Sequence, residues 1–294
     1  MPIDYRYHIG SFVAIFVALL LGILIGIGLA PSPEELDRAV ADLKIEYREA
    51  RDFKEAELQT LRDAARESDM LTKEMLSALC KDRLKGKRVA IVFDHDFGRD
   101  PLPDNLRALL KQAGAAVTSA TTVTRDFVTL PKPVRQQVSQ RLSLYPPPGV
   151  HFRTLIAQAV AKDLGEGRAE LILDLHSSGL LRSAADSDYT VRPDAVLVVG
   201  GHDSPSDASP ERIDLPIIQQ LTGLGVRVAG CEARAVPISS ISIYRAAGIP
   251  TVDNVDSPAG RLAIVLALAG ADGHFGVKDT ADLFLPQIPP YAGR

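Results

Sequence analysis

The chain has 294 residues, 46% of them apolar and 24% charged, with a net charge of -4, and it lacks the concentrated Lys/Arg run that phosphate binding requires, which argues against a nucleic-acid partner. Its two cysteines exclude a disulfide framework and a zinc site built from several thiolates. The averages conceal a division: residues 7–31 hold no charge, residues 32–88 hold 13 Lys/Arg and 14 Asp/Glu, and the remainder is of ordinary composition.

Ile9 to Ala30 reads IGSFVAIFVALLLGILIGIGLA, 22 residues without a charge. As a helix this run spans the ~30 Å hydrocarbon core of a bilayer, so a transmembrane helix is expected. Gly28 and Ala30 have the spacing of a cleavage site, but the run exceeds the ~7–15 apolar residues of a signal peptide and Pro31 would follow the cut, which favours an uncleaved anchor. Gly22 and Gly26 share one helical face, where a second helix can approach closely. Arg6 before the span is outnumbered by Arg38 and Lys44 after it, and such counts do not decide the orientation when a large domain follows. A short tail, one span and one large domain fit a signal-anchor in the cell membrane, single-pass, with the body outside the cytoplasm.

Pro31 and Pro33 end the span, and Ser32 followed by Pro33, Glu34 and Glu35 reads as the N-cap and acidic first turn of a new helix. With Leu36 at heptad position d, the a and d positions run through Val40, Leu43, Tyr47, Ala50, Lys54, Glu57, Leu61, Ala64, Ser68, Leu71, Met75 and Ala78, so ten of thirteen are apolar or nearly so. The seam lapses at Lys54 and Glu57. A coiled-coil stalk is expected, joining copies of the chain into a homo-oligomer and holding the body ~70 Å from the bilayer; a solvated helix folded back on the body is the competing reading. Cys80 falls at an f position, away from the seam, which disfavours a disulfide between stalks and leaves Cys231 as its only partner within the chain.

After Gly86, strands alternate with helices, the pattern of a parallel sheet covered on both faces. Strands are expected at Val89–Phe93, Ala116–Thr124, Ala195–Gly200, Val226–Ala229 and Thr251–Val255. Helices are expected at Asn105–Ala113, Val134–Leu142, Phe152–Leu164, from Ser209 and Pro210 to Leu221, at Ser239–Ala247, and after Ser257 and Pro258. Ala169–Leu175 fits helix or strand equally. The fold class is thus α/β: an N-terminal transmembrane helix, a coiled-coil helix, then a doubly wound, mostly parallel sheet of about five strands, flavodoxin-like or Rossmann-like. The boundaries are 1–31 for the membrane anchor, 32–85 for the stalk, 86–275 for the α/β domain and 276–294 for a C-terminal tail.

Ligands of such sheets bind outside the carboxyl ends of the strands. Those ends carry Asp94, His95, Asp96 and Gly98; Gly200, Gly201, His202, Asp203 and Ser204; Cys231 and Glu232; and Asp253 and Asp256, with His274 after the last helix. His95, His202, Cys231 and His274 are the candidate metal ligands, imidazole and thiolate being suited to copper or zinc. None of them forms a pair of recognisable ligand spacing, and polar loop residues are the competing reading. The glycine-rich phosphate motifs and the G-x-S-x-G elbow are missing, so no enzymatic activity is expected. His176-Ser177-Ser178-Gly179 is read as an element terminus, the glycine pair 200–201 as a tight strand exit, and Asp253 and Asp256 as turn and pre-cap acids.

Taken together, the chain resembles the MctB-type copper transport family. The resemblance runs through the short tail ending in His8, the span FVAIFVALLLGILIGIGL, the heptad stalk, GKRVAIV at the start of the sheet, and the closing TVDNVDSPAGRLAIVLALAGADGHFGVK. In that last stretch Asp253, Asp256, Gly260, Arg261, Gly273, His274 and Gly276 take the places of the family's acidic turn, G-R-apolar helix and Gly-His-Phe/Val-Gly. The resemblance implies a membrane-anchored envelope protein of copper homeostasis or efflux and brings copper as the one metal to consider, without bringing ligand residues. The residues add two constraints. The three methionines, at 1, 70 and 75, make no soft-ligand tract for Cu(I). A single span encloses no pore and is unlike the closed barrels usual in bacterial outer membranes, so transport requires an oligomer or an envelope protein partner. The alternative is a non-enzymatic envelope scaffold that recruits cell-division or wall-remodelling partners.

Overall fold

The structure, a computed structural model, describes residues 5–29, 33–143, 145–147, 149–204 and 210–287. It divides into two compact units, Met1–Ser68 and Asp69–Arg294. Ser32 and Ser209, expected as helix caps, lie outside the described residues, as do residues 288–294 of the expected C-terminal tail.

In the first unit, α1 runs from Tyr5 to Leu29, and its stretch Ile9–Gly28 is long and apolar enough to cross a membrane. Every side chain of that stretch is exposed, an apolar surface that water does not tolerate and that lipid or other apolar helices would cover. Helix α2 spans Pro33–Cys80, 48 residues, or about 72 Å of helix, and no glycine or proline interrupts it after Pro33. Its polar contacts in this unit are local, such as Arg66 to Asp63 at 3.2 Å and Gln59 to Asp63 at 3.2 Å; exposed pairs of this kind contribute a few tenths of a kcal/mol. Val40, Leu43, Tyr47 and Leu61, on the a and d positions of the heptad, are exposed.

The second unit takes up the end of α2. Leu76 and Cys80 are buried in its core, with Leu79 packed against them. Cys80, at an f position away from the seam, is covered all the same, because the last turn of the helix docks against the body. Cys80 and Cys231 are both free thiols, and burial pushes the Cys80 thiol up to about 11, the nearby Arg83 offsetting it slightly.

From there the elements follow as β1 Arg88–Phe93, α3 Leu102–Gln112, β2 Ala116–Val123, α4 Arg125–Thr129, α5 Lys132–Leu142, α6 Phe152–Glu166, α7 Glu170–Ser177, β3 Leu181–Ser183, β4 Ala195–Gly200, α8 Asp214–Gly223, β5 Arg227–Glu232, α9 Ile241–Ala246, β6 Thr251–Val252, α10 Pro258–Ala269 and β7 His274–Phe275. One sheet of seven strands has the order β3-β2-β1-β4-β5-β6-β7. All pairings are parallel except β2 with β3. The α/β class and the mostly parallel sheet agree with the sequence. Two strands exceed the expected five: β3 and β7 are three and two residues long, too short to show a period of two. The ambiguous 169–175 segment is helical, with Ile172 and Leu175 buried and Leu173 exposed, a three-residue spacing that a strand would not give.

Alternation along the strands builds two cores. Val89, Ile91 and Phe93 of β1 face the layer of α3, α10 and the end of α2, while Ala90 and Val92 face α6, α7, α8 and α9. Strand β4 is buried throughout, as a central parallel strand with both faces covered must be. The chain moves outward from β1 to β2 and β3, then returns to place β4 on the other side of β1. The carboxyl ends of β1 and β4 therefore flank the topological switch point of this doubly wound sheet.

Candidate functional site

At that switch point β1 delivers Asp94 and His95, and β4 delivers Gly200, Gly201 and His202. Asp94 and His202 are each 2% exposed. Nδ1 of His95 lies 2.7 Å from Oδ1 of Asp94, and Nε2 of His202 lies 2.8 Å from Oδ2. Both carboxylate oxygens of Asp94 are thus turned to imidazole nitrogens. The two imidazoles stand with ring centroids 4.9 Å apart, and the Phe97 ring packs on His95 with centroids 4.1 Å apart. The backbone holds His202 in place by paired bonds with Ile238, 2.9 and 3.0 Å.

The strand exit depends on its glycines. Gly201 has φ +90°, a region open to glycine and strained for other residues. Gly200 is needed for a different reason: a Cβ there would collide with the Tyr244 hydroxyl and with Ser240. Tyr244 lies under the strand end and donates to Oδ2 of Asp214 at 2.7 Å. Asp214 is buried beside Asp94, and the two carboxyls titrate apart. Burial works against ionisation of Asp94, yet its contacts with His202 and His95 outweigh that cost and hold it below the usual range. Burial, then the Asp94 charge, drives Asp214 well above that range, the Tyr244 hydroxyl offsetting only part. Asp94 is therefore the anion of the pair, as expected when like charges share a buried site.

His95 also lines a cleft of about 280 Å³ between the ends of β1 and β2, with Asp96, Gly98, Val123, Thr124, Arg125 and Val128. Asp96 is paired with Arg182 of β3 at 2.9 Å.

Of the four residues singled out from sequence as metal ligands, the structure brings His95 and His202 together and places Cys231 and His274 elsewhere. Cys231 is fully buried with Phe93 and Val199, on the face of the sheet opposite Asp94 and Gly200. Burial, and then the charges of Glu232 and Asp94, raise its thiol well above the ordinary value, so it stays protonated. His274 lies on the edge strand β7, its Nδ1 2.9 Å from the Thr251 hydroxyl; burial and the neighbouring Arg245 lower its pKa, with Asp282 opposing. The residue that completes the pair is Asp94. Among the described residues, Asp94, His95 and His202 form the one group of three such side chains whose ligand atoms lie within 4.8 Å of one another.

The remaining strand-end acids have structural partners. Glu232, fully buried, accepts from the Ser239 hydroxyl at 2.7 Å and the Ser240 amide at 2.8 Å, and pairs with Lys278. Asp253 accepts from the amides of Val277 and Lys278, at 2.8 and 2.9 Å, with Gly276 packed so closely that a Cβ would strike the carboxylate. Asp256 accepts from the Arg234 amide at 2.7 Å, and Gly260 packs under the Asn254 carbonyl. Ser177 and Ser178 donate back to the Asp174 carbonyl at the end of α7, each at 2.8 Å. These agree with the turn, cap and terminus readings made from sequence.

The fold and the site define a class: a membrane-associated chain whose doubly wound α/β body carries a buried His-Asp-His cluster at the switch point. The family model described as "Copper transport outer membrane protein, MctB" matches residues 2–286, and the chain belongs to that family. It is 24% identical to "Copper transporter MctB" of Mycobacterium leprae over 249 residues, covering 73% of this chain and 78% of that protein. It is 26% identical to the proteins of the same name from Mycobacterium bovis and Mycobacterium tuberculosis, over 73% of this chain and 79% of theirs. The closing stretch that carries the resemblance is thereby explained: Asp253, Asp256, Gly260 and Gly276 lock the β5–β7 end of the sheet.

Proposed function

We propose that this chain is a single-pass membrane-anchored envelope protein of copper homeostasis or efflux, working as an oligomer or with an envelope partner. The carrying observation is the family match over residues 2–286, to which the exposed apolar stretch Ile9–Gly28 adds the means of anchoring. The α/β body lies outside the cytoplasm, α1 acting as the signal-anchor. One span does not enclose a pore, so copper movement depends on association, for which the exposed a and d side chains of α2 offer a coiled-coil seam. The body acts without enzymatic turnover. Deleting the gene in its host and measuring cell copper by mass spectrometry, beside growth on copper, tests this reading: raised copper and raised sensitivity are expected, and unchanged values for both overturn it.

A second reading, a non-enzymatic scaffold for cell-division or wall-remodelling partners, draws on the same seam, where Val40, Leu43, Tyr47 and Leu61 are 43 to 72% exposed. The deletion strain separates the two. Normal copper with altered cell shape favours the scaffold, and normal shape with raised copper removes it.

A further inference from the structure

We infer that Asp94, His95 and His202 bind one copper(II) ion at the switch point between β1 and β4. The choice of copper rests on the proposed homeostasis role; the existence of the site rests on geometry. Two imidazole nitrogens and a carboxylate come from the ends of two adjacent central strands, so the backbone of the sheet fixes their spacing. First-row metal bonds to such donors are about 2.0–2.1 Å, which places ligands at right angles about 2.9 Å apart. The carboxylate oxygens of Asp94 already stand 2.7 and 2.8 Å from the two nitrogens. The ion takes the position between these atoms, and the ring protons that face the carboxylate leave or move to the other ring nitrogen.

Three further observations agree. Oδ2 of Asp94 is buried and 2.8 Å from Nε2 of His202, so the donor atoms of three side chains already converge out of bulk water. His95, 20% exposed, opens the site to the neighbouring cleft, which leaves coordination positions for water or an incoming ligand. Asp214, held by Tyr244, backs the Asp94 carboxylate in the manner of outer-shell groups that orient ligands. The donor set selects the metal. It has no thiolate or thioether, Cys231 being on the other face of the sheet and Met70 and Met75 on α2, so it suits Cu(II) and not Cu(I), and the usual order of affinities places Cu(II) above Zn(II).

The test uses the full-length chain in detergent micelles, stripped of metal and titrated with CuCl2 or ZnCl2 against a chromophoric chelator, with electron paramagnetic resonance at one equivalent of copper. One Cu(II) per chain is expected, with hyperfine structure from two imidazole nitrogens. His95→Ala is expected to weaken binding at least tenfold and to remove one nitrogen from the spectrum. His202→Gln is expected to do the same; because that side chain is buried, its circular dichroism is recorded too, and the partly exposed His95 gives the independent variant. Absence of stoichiometric Cu(II) binding by the wild-type chain overturns the site, as does unchanged binding in His95→Ala. Tighter Zn(II) than Cu(II) binding overturns the metal assignment. The functional reading is tested separately: if the His95→Ala gene restores normal copper to a deletion strain whose copper is raised, the homeostasis role stands without this site. If the deletion leaves copper unchanged while the purified chain binds it with two imidazoles, the site stands without the role.

Discussion

Two buried polar clusters sit at the carboxyl end of the same sheet, and they are built differently. At the β5–β7 end, Glu232 and Asp253 spend their oxygens on hydroxyls, backbone amides and Lys278, and the bonds to Val277 and Lys278 join segments distant in sequence. At the β1–β4 end, Asp94 faces two imidazoles, with a cleft beside them. A carboxylate satisfied by amides that cannot move is a fastener. One held between titratable side chains, near solvent, at the point where the chain reverses its winding, has the makings of a site. Burial alone does not distinguish them, since Asp94, Asp253 and Glu232 are all at or below 2% exposure.

The contrast breaks most visibly on the fastener side. Asp253→Ala removes the buried acceptor of two partly buried amides and is expected to cost about 3 kcal/mol, charge-assisted bonds being worth more than neutral ones. Urea unfolding of the body followed by tyrosine fluorescence measures it, the chain having no tryptophan. Copper stoichiometry of the folded protein should be unchanged; a loss of copper binding as large as that of His95→Ala would mean that the two clusters are one. Gly200→Ala is the next largest effect, about 2 kcal/mol from overpacking, because the new methyl group displaces the Tyr244 hydroxyl that fixes Asp214. It should also perturb the copper spectrum, which Asp253→Ala should not. Ser257→Ala removes a helix cap: Ser257 accepts from the Gly260 amide at 3.0 Å at the start of α10. A loss of about 1 kcal/mol is expected, again by urea unfolding and with no change at the copper site.

How much of this was legible in the chain follows from which signals are local. Strands β1 and β4 stand out because central parallel strands are unbroken apolar runs, and α2 because 48 residues pass without an interior glycine or proline. His95 and His202 are visible as residues just past strand ends, where sheet ligands bind. Asp94 is visible there too, but an aspartate after a strand is an ordinary turn residue, and its burial between two imidazoles depends on β1 and β4 being neighbours, which is a matter of topology. Cys231 is misplaced by a single residue: alternation sends position 231 to one face and Gly230 and Glu232 to the other. His274 follows a helix, and only the pairing of β6 with β7 puts it at the sheet's edge. Cys80 shows the limit of a heptad, whose register says nothing about where the helix meets the body.

The smallest expected effect lies at the opposite end of the sheet, where a half-exposed ion pair replaces the buried clusters. Asp194, just before β4, accepts from the backbone amide of Arg88 at 2.8 Å and from its guanidinium at 2.6 and 3.0 Å. The Arg88 side-chain bond, then its backbone amide, lower the Asp194 carboxyl from 3.8 to about 2, burial opposing only weakly. A carboxyl whose pKa falls on folding stabilises the fold above its unfolded value and loses that contribution as pH falls through the folded one. The contribution is therefore complete above pH 3.8 and disappears toward pH 2. Both side chains are about a third or more exposed, and water screens such pairs, so Asp194→Asn should cost less than about 1 kcal/mol at neutral pH. Urea unfolding of the wild type and the variant between pH 2 and pH 7 measures the difference. The two curves should run parallel at neutral pH and converge in acid, and a constant gap down to pH 2 would show that the side chain acts through packing and not through its charge.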